Sequence, residues 1–281
     1  MSIKPDEVFK TGLFPDMSIE QYHSTYGISR SGIMLFRKSP LHYWHHYFNK
    51  HKIEQEESAA LSFGNALHTY LLEPDQFNNR YIVAPKVDRR TTVGKKVWEM
   101  FLVQTNGRSI LTEEQMYLVS EMAYSVSKNE QAQQLILNAQ YEKSLFWNEK
   151  TTGMLCKARP DIWHPNMIVD LKTTQDATST AFRRSLYDYG YHIQAAMIQD
   201  GIYEVTGQVM ENFIFLAIEK VPPFACAIYI LNEESLSAGR DEFLRHLNTY
   251  KDCLKSGEWP GYPTRSISIP YFYLNSNGEN Q

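Results

Sequence analysis

The sequence predicts an α/β fold in which a mixed central β-sheet is flanked by helices and preceded by a helical N-terminal portion. Residues 155–163 and 167–172 flank the turn signal His164-Pro165-Asn166, a pattern typical of a β-hairpin. The apolar runs at 213–218 and 224–231 have the length of buried strands that extend a sheet. Helix start signals, such as a serine followed by a proline, recur outside these strands.

The elements before the hairpin follow from caps, periodicity and stop signals. The sequence predicts first an extended lead-in at 1–27, helices at 32–38 and 41–48 with Ser29 and Ser39 as N-caps, and a polar connector at 54–58. It then predicts a helix at 59–72, a strand at 81–84 and a basic loop at 85–96 that leads into a helix. Two helices at 112–137 and a strand at 141–147 follow.

The elements after the hairpin complete the sheet and its cover. The sequence predicts helices at 178–187 and 189–202, antiparallel strands at 208–217 and 225–231, an amphipathic helix at 236–255, a tight turn at 257–263 and a disordered polar tail at 275–281.

Length and composition favour one compact cytoplasmic domain. We expect a single domain over 1–281, with 1–58 as its helical N-terminal portion, 59–274 as its core and 275–281 as its tail. The longest apolar runs are too short to span a membrane, and residues 1–6 carry no hydrophobic signal-peptide core. Three scattered cysteines without C-x-x-C spacing argue against a disulfide framework and a structural zinc site.

The net charge bears on the class of partner. The chain carries 28 Lys and Arg against 32 Asp and Glu, a net charge of −4. A protein that grips nucleic acid over its whole surface is usually basic. The mild acidity therefore favours nucleic-acid binding in a local basic channel over binding across the whole surface.

The hairpin concentrates three ionisable groups. If Trp163 pairs with Ile168, Asp161 falls opposite Asp170, and strand alternation places Lys172 on the same face as Asp170. Two carboxylates about 4 Å apart repel by roughly 4 kcal/mol at an effective dielectric of about 20, which a divalent cation relieves. The pattern indicates a Mg²⁺-assisted phosphodiester site; the alternative is a surface hairpin with a solvated Asp161–Lys172 ion pair.

Pro160-Asp161 followed by Asp170-Leu171-Lys172 resembles the motif of the PD-(D/E)xK nuclease superfamily, with its restriction-endonuclease-like fold. Within it, the chain is most similar to the RecB-type branch and to the RecE family, exodeoxyribonuclease VIII and its phage relatives. The matching segments lie in the family's order along nearly the whole chain, at residues 29–43, 63–74, 88–91 with 94–95, the hairpin, 191–194 and 260–263.

The resemblance implies further site residues. His68, one helical turn after Gly64, corresponds to a metal ligand; a helical histidine can also be merely structural. Glu142, just ahead of the hairpin, is implied as a second-metal or water-mediated ligand, although a strand glutamate usually faces solvent. With Asp161 and Asp170 these residues are expected to hold two Mg²⁺ ions, or Mn²⁺ as a substitute.

The resemblance also implies assisting residues. Lys172 positions or activates the attacking water, and Gln194 assists it or contacts the DNA backbone. The family's Q-x-x-x-Y signature is incomplete here, because Ile198 stands where the tyrosine is expected. Tyr191 is a candidate substitute.

Two basic regions are candidate DNA contacts. Lys86, Arg89, Arg90, Lys95 and Lys96 place five cations within eleven residues, and arginine suits phosphate contacts. Arg30 and Ser31 directly precede the first predicted helix, and Arg37 and Lys38 lie at its end; Tyr191, in the matching segment 191–194, is a further candidate. The alternatives are a solvated basic loop and ordinary helix-end charges.

The function implied is Mg²⁺-dependent hydrolysis of double-stranded DNA from its ends, 5′→3′, leaving 3′ single strands for recombination. The RecE resemblance further implies a ring-shaped homo-oligomer and a RecT-like single-strand annealing partner. The alternatives are a structure-specific or restriction-like endonuclease and a DNA-binding module with an inactive site.

Overall fold

The computed structural model describes residues 10–49 and 59–269, without the side chains of 59–62. The helices in these ranges are α1 (Ile19–Ser24), α2 (Arg30–Lys38), α3 (Pro40–Tyr47), α4 (Ala59–Leu72), α5 (Pro74–Arg80), α6 (Thr92–Thr105), α7 (Glu113–Lys128), α8 (Glu130–Ile136), α9 (Ser179–Asp188), α10 (Tyr191–Thr206) and α11 (Glu233–Ser256). The strands are β1 (Gly12–Phe14), β2 (Tyr81–Val83), β3 (Ser109–Leu111), β4 (Gln140–Tyr141), β5 (Ser144–Asn148), β6 (Leu155–Ala158), β7 (Ile162–Trp163), β8 (Met167–Thr174), β9 (Asn212–Glu219) and β10 (Cys226–Ile230). Among these described helices, none combines the length and the apolar character needed to cross a bilayer.

A five-stranded sheet in the order β10-β9-β8-β7-β4 forms the centre. β8 and β9 run parallel and the other neighbours run antiparallel, so the predicted mixed sheet is confirmed. Parallel neighbours need a crossover, which α9 and α10 provide. A three-stranded antiparallel sheet, β1-β5-β6, and the parallel pair β2-β3 lie beside it.

Both faces of the central sheet are buried. Ile168, Phe213 and Phe215 pack into one apolar cluster together with residues of α2, α10 and α11. Val169 and Leu171, on the opposite face of β8, pack into a second cluster with residues of α4 and α7. Each fully buried aliphatic or aromatic side chain contributes about 1.5–3 kcal/mol relative to exposure. The strand therefore holds its register firmly, because a slip by one residue would reverse both faces.

The first departure from the sequence prediction is at the N-terminus. Residues 10–27 do not form an extended lead-in: β1 pairs with β5, and α1 follows. The helix begins at a capping box, in which the Ser18 side chain accepts from the Gln21 amide and the Gln21 side chain accepts from the Ser18 amide. That signature was present in the sequence and was missed.

The second departure concerns two strands that were predicted to be continuous. The strand at 141–147 is divided into β4 and β5, and the first hairpin strand at 155–163 is divided into β6 and β7. In both cases the chain leaves one sheet for the other. Glu142 has a left-handed backbone (φ 53°), and Pro160 has no amide hydrogen to donate to a ladder. The two breaks face each other, since the Glu142 amide donates to the Asp161 carbonyl at 3.1 Å.

Most other elements agree with the sequence to within a few residues. The helix at 59–72, the paired helices at 112–137, the antiparallel strands β9 and β10 and the long helix α11 are confirmed. The connector at 54–58 and the tail at 275–281 lie outside the described residues. A single domain over 1–281 stays a prediction.

Gly239 sets the approach of α11 to α10. A Cβ atom at this position would lie 2.2 Å from the His192 carbonyl oxygen, so the backbones meet without room for a methyl group. Because α10 carries Gln194 and Tyr191, this contact also sets the distance of those side chains from the central sheet.

We expect Gly239→Ala to lower the free energy of unfolding by about 1–3 kcal/mol, because overpacking against a backbone exceeds the helix propensity gained. Urea unfolding followed by circular dichroism measures the change. Ser237→Ala, on the exposed face of the same helix, is the matched control. Equal stability of the two variants would contradict the packing argument.

Candidate active site

The carboxyl group of Asp161 lies where the two sheets separate. The predicted hairpin register is confirmed, with Trp163 opposite Ile168 and Ile162 opposite Val169, so Asp161 precedes β7 and faces Asp170. Asp161 is buried, and its Oδ2 accepts a hydrogen bond from the Leu171 amide at 2.8 Å. The hairpin itself therefore fixes the orientation of this carboxylate.

Two further side chains reach the same point from other elements. His68 on α4 places Nδ1 3.5 Å from Asp161 Oδ2. Glu142 enters from the break between β4 and β5. One ligand atom from each of His68, Glu142 and Asp161 lies within 4.8 Å of the others. The structure thus gathers one nitrogen and two carboxylates from three separate segments.

Glu142 is held by Arg159. The Arg159 Nε donates to Glu142 Oε2 at 2.8 Å, while Nη1 donates to Ser144 Oγ at 2.6 Å and to the Met17 carbonyl at 2.9 Å. Burial and the neighbouring Asp161 charge raise the pKa of Glu142 to about 7, against the opposing effects of His68 and Arg159. The neighbouring groups His68 and Arg159 therefore balance the negative charge of Glu142 and Asp161 only in part.

Asp170 and Lys172 form a second pair on β8. Asp170 is fully buried; Gln194 Nε2 donates to its Oδ1 at 2.7 Å, and the Lys172 ammonium forms an ion pair with Oδ2. Burial raises the pKa of Asp170 to about 6 despite Lys172. Burial acts to lower the pKa of Lys172, but Asp170 and Asp161 outweigh it, and the net shift is upward.

These groups fit a divalent cation. Carboxylate oxygens are the ligands that Mg²⁺ and Mn²⁺ prefer, and an imidazole nitrogen is compatible with a transition-metal ion. His68, Glu142 and Asp161 converge, while Asp170 lies beside them and is paired with the Lys172 ammonium. Burial is the main cause that raises the pKa values of Glu142 and Asp170, and the nearby Asp161 charge adds to it, so a cation bound here would favour the ionised carboxylates.

The structure places some of the candidate DNA-contact residues in one cleft and the others outside it. A cleft of about 640 Å³ is lined by Arg30 and Ser31 as well as by His68, Lys172 and Gln194. Arg37 lies elsewhere, in an ion pair with Glu242 (3.2 Å). Lys86, Arg89, Arg90, Lys95 and Lys96 are exposed, and none of them lines this cleft.

Ile198 is buried and lines the cleft four residues after Gln194. An apolar side chain therefore stands where the resembling family has a tyrosine hydroxyl. Tyr191 contacts Lys172, with its ring centroid 4.9 Å from Nζ. The aromatic contact to the lysine is thus made from the start of α10.

Two functional neighbours were missed by sequence reasoning. Arg159 directly precedes Pro160-Asp161, and only that proximity could have indicated it. Lys157 is buried, and its ammonium donates to the carbonyls of Tyr22 (2.8 Å) and Thr25 (2.7 Å) at the end of α1. Burial lowers the pKa of Lys157 to about 8. Both cations attach the N-terminal segment to the cleft as one of its walls.

We expect Mg²⁺ or Mn²⁺ to raise the Tm, and to raise it more at about pH 8 than at about pH 5, because the carboxyls must lose protons to bind a cation. The folded pKa values of Glu142 and Asp170 lie above the ordinary values of 4.5 and 3.8, so the metal-free protein loses stability as pH rises through this range. At 100-fold excess over Kd a cation adds about 2.7 kcal/mol, or several degrees of Tm.

Differential scanning calorimetry at both pH values measures this shift. Asp161→Asn should abolish it, whereas Asp75→Asn, an exposed change on α5, should preserve it. An undiminished shift in Asp161→Asn would contradict the assignment of the site.

The chain is similar, to different degrees, to several solved structures. A protein from Eubacterium rectale with only a provisional designation as an exonuclease has a TM-score of 0.62 at 18% identity, covering 93% of this chain and 98% of its own. A phage-related exonuclease from Haemophilus somnus 129PT has a TM-score of 0.34 at 12% identity, covering 83% and 96%. An alkaline exonuclease from Laribacter hongkongensis has a TM-score of 0.26 at 13% identity, covering 66% and 97%. The first likeness shows a shared fold; the other two are too weak to support an argument.

Sequence comparison gives the family. No curated protein matches the chain significantly. Residues 29–267 match the family described as a PDDEXK-like domain of unknown function (DUF3799), and this span includes His68, Glu142, Asp161, Asp170 and Lys172. The α/β core, the confirmed hairpin register and this match agree. The chain belongs to the PDDEXK-like DUF3799 family.

Proposed function

We propose that this protein is a Mg²⁺-dependent exodeoxyribonuclease that hydrolyses phosphodiesters from double-stranded DNA ends. The observation that supports it most is the convergence of His68, Glu142 and Asp161 in one cleft, with Lys172 beside them, in a chain of a PDDEXK-like family. A cleft that combines carboxylates with cations suits a metal and a phosphate together.

The residues of the cleft have separable roles. His68, Glu142 and Asp161 would hold the cation, with Asp170, which is paired with Lys172, as a further carboxylate ligand. A bound Mg²⁺ supplies a water of lowered pKa and neutralises charge on the phosphate oxygens. Arg159 keeps Glu142 directed into the cleft, and the Leu171 amide does the same for Asp161.

Lys172 acts in this proposal as a proton-bearing group. Asp170 and Asp161 raise its pKa, so it stays an ammonium at neutral pH and orients the attacking water or stabilises charge on the phosphate. The ion pair with Asp170 on one side and the Tyr191 ring on the other restrict where the ammonium lies. The Gln194 side chain restrains the Asp170 carboxylate through its 2.7 Å hydrogen bond to Oδ1.

The substrate and direction come from the RecE resemblance. It supports digestion of duplex ends 5′→3′, leaving 3′ single strands for recombination in the cytoplasm. It also supports a ring-shaped homo-oligomer and a RecT-like annealing partner. Arg30 and Ser31 in the cleft, together with the exposed cations at 86–96, are the proposed DNA contacts.

Linear duplexes labelled separately at each 5′ and each 3′ end test the proposal. We expect progressive loss of the 5′ labels with Mg²⁺ and no digestion with EDTA. A covalently closed circle should stay intact; nicking or linearisation would indicate the endonuclease alternative. Binding without cleavage in both Mg²⁺ and Mn²⁺ would indicate the inactive DNA-binding module.

Substitution of the lysine tests the chemistry. We expect Lys172→Met to slow digestion by about 100-fold or more, because a charge aimed at the transition state is removed. Lys251→Met, an exposed change on α11, should digest like wild type. Rates are measured in single turnover on the same labelled duplex. An Asp170→Asn or Lys172→Met variant that cleaves as fast as wild type would refute the assignment.

A further inference from the structure

The end of α9 and the turn that follows it carry two exposed tyrosines next to the cleft. The Tyr187 side chain is 60% exposed and that of Tyr189 is 56% exposed. A single exposed aromatic needs no explanation, because apolar atoms form much of any protein surface. Here two of them stand within three residues, and neither faces the core.

The backbone of this turn is held tightly from below by α2. Arg37 Nη1 donates to the Tyr187 carbonyl at 2.6 Å, and Arg30 donates to the Tyr189 carbonyl. Gly190 has φ 63°, and a Cβ atom there would lie 2.3 Å from Met34 Sδ. The tyrosines are therefore presented on a fixed backbone, which lowers the entropy cost of binding a ligand.

A chain of rings and cations links this turn to Lys172. The rings of Tyr189 and Tyr191 are 5.6 Å apart, and the Tyr191 ring lies within contact of both the Lys172 ammonium (4.9 Å) and the Arg30 guanidinium (5.5 Å). Arg30 also lines the cleft. The Arg37 guanidinium lies 4.1 Å from the Tyr187 ring. The exposed Tyr189 ring is thus one aromatic side chain away from the lysine of the site.

Positive charge continues on the outer face of α9. Arg183 and Arg184 are exposed and line a shallow groove of about 420 Å³ with Thr180, Tyr187 and Asp188. Arginine binds phosphate through a planar fork of donors. Aromatic faces flanked by arginines are the arrangement with which proteins bind a single nucleic-acid strand without regard to sequence.

We propose that Tyr187 and Tyr189 form a stacking platform for the bases of a single DNA strand that passes the cleft, with Arg183 and Arg184 facing its phosphates. The inference rests on the proposed nuclease function and adds to it a single-strand path outside the cleft. Bases stack on the exposed ring faces, and no covalent step is involved.

The test measures single-strand binding separately from cleavage. A fluorescein-labelled single-stranded oligonucleotide is titrated by anisotropy, at fixed salt, with full-length protein carrying Asp161→Asn to prevent digestion. Tyr189→Ala and Tyr189→Phe are compared in that background. The matched control is Tyr117→Ala on α7, a residue 59% exposed on the opposite side of the central sheet.

We expect Tyr189→Ala to weaken binding by about tenfold, because stacking is lost, and Tyr189→Phe to bind like the parent. Tyr117→Ala should have no effect. The double variant Arg183→Gln with Arg184→Gln should lower the slope of log Kd against log salt by about 0.7 for each phosphate that the arginines neutralise in the parent.

The failures are distinguishable. If wild-type protein digests duplex DNA while Tyr189→Ala binds the oligonucleotide as tightly as the parent, the platform is wrong and the nuclease proposal stands. Equal losses in Tyr189→Ala and Tyr117→Ala also overturn the platform. If wild type neither digests nor binds DNA, the nuclease proposal fails first.

Discussion

The burial of the Asp161 and Asp170 carboxyl groups, with the half-buried Glu142 carboxyl group beside them, is the constraint on which the site depends. Each has a cationic or donor neighbour, namely Arg159, the Leu171 amide and Lys172, yet the pKa values of Glu142 and Asp170 stay raised. The compensation inside the protein is therefore incomplete. A site whose negative charge is only partly balanced favours binding of a cation from solution. In the metal-free protein the same unbalanced charge lowers the stability of the fold.

The space for that charge is made by two strand breaks. Where β4 gives way to β5 and β6 to β7, the chain leaves one sheet for the other, and Glu142 and Asp161 remain in the gap. Arg159 and Lys157 then attach the segment around α1 to the same gap through carbonyls of Met17, Tyr22 and Thr25. The N-terminal segment is thus part of the cleft wall.

Helix α2 connects the cleft to the turn after α9. Arg30 lines the cleft, contacts the Tyr191 ring and donates to the Tyr189 carbonyl, so one side chain spans the two regions. The Tyr191 ring also contacts the Lys172 ammonium and so restricts where the ammonium lies. The position of the lysine and the presentation of the exposed tyrosines therefore share a support, although they lie on different elements.

The sequence by itself determined the elements whose signals are local. It predicted the hairpin register, with Asp161 opposite Asp170, and the helix that carries His68, because strand alternation and helical periodicity depend on neighbouring residues. Only the tertiary structure decided that two predicted strands divide between sheets, that Arg159 restrains Glu142, and that Tyr189 lies one aromatic side chain away from Lys172. These features rest on contacts between residues far apart in the chain, such as Arg159 with Met17 and Arg30 with Tyr189, and no local pattern encodes which distant group will fill a gap.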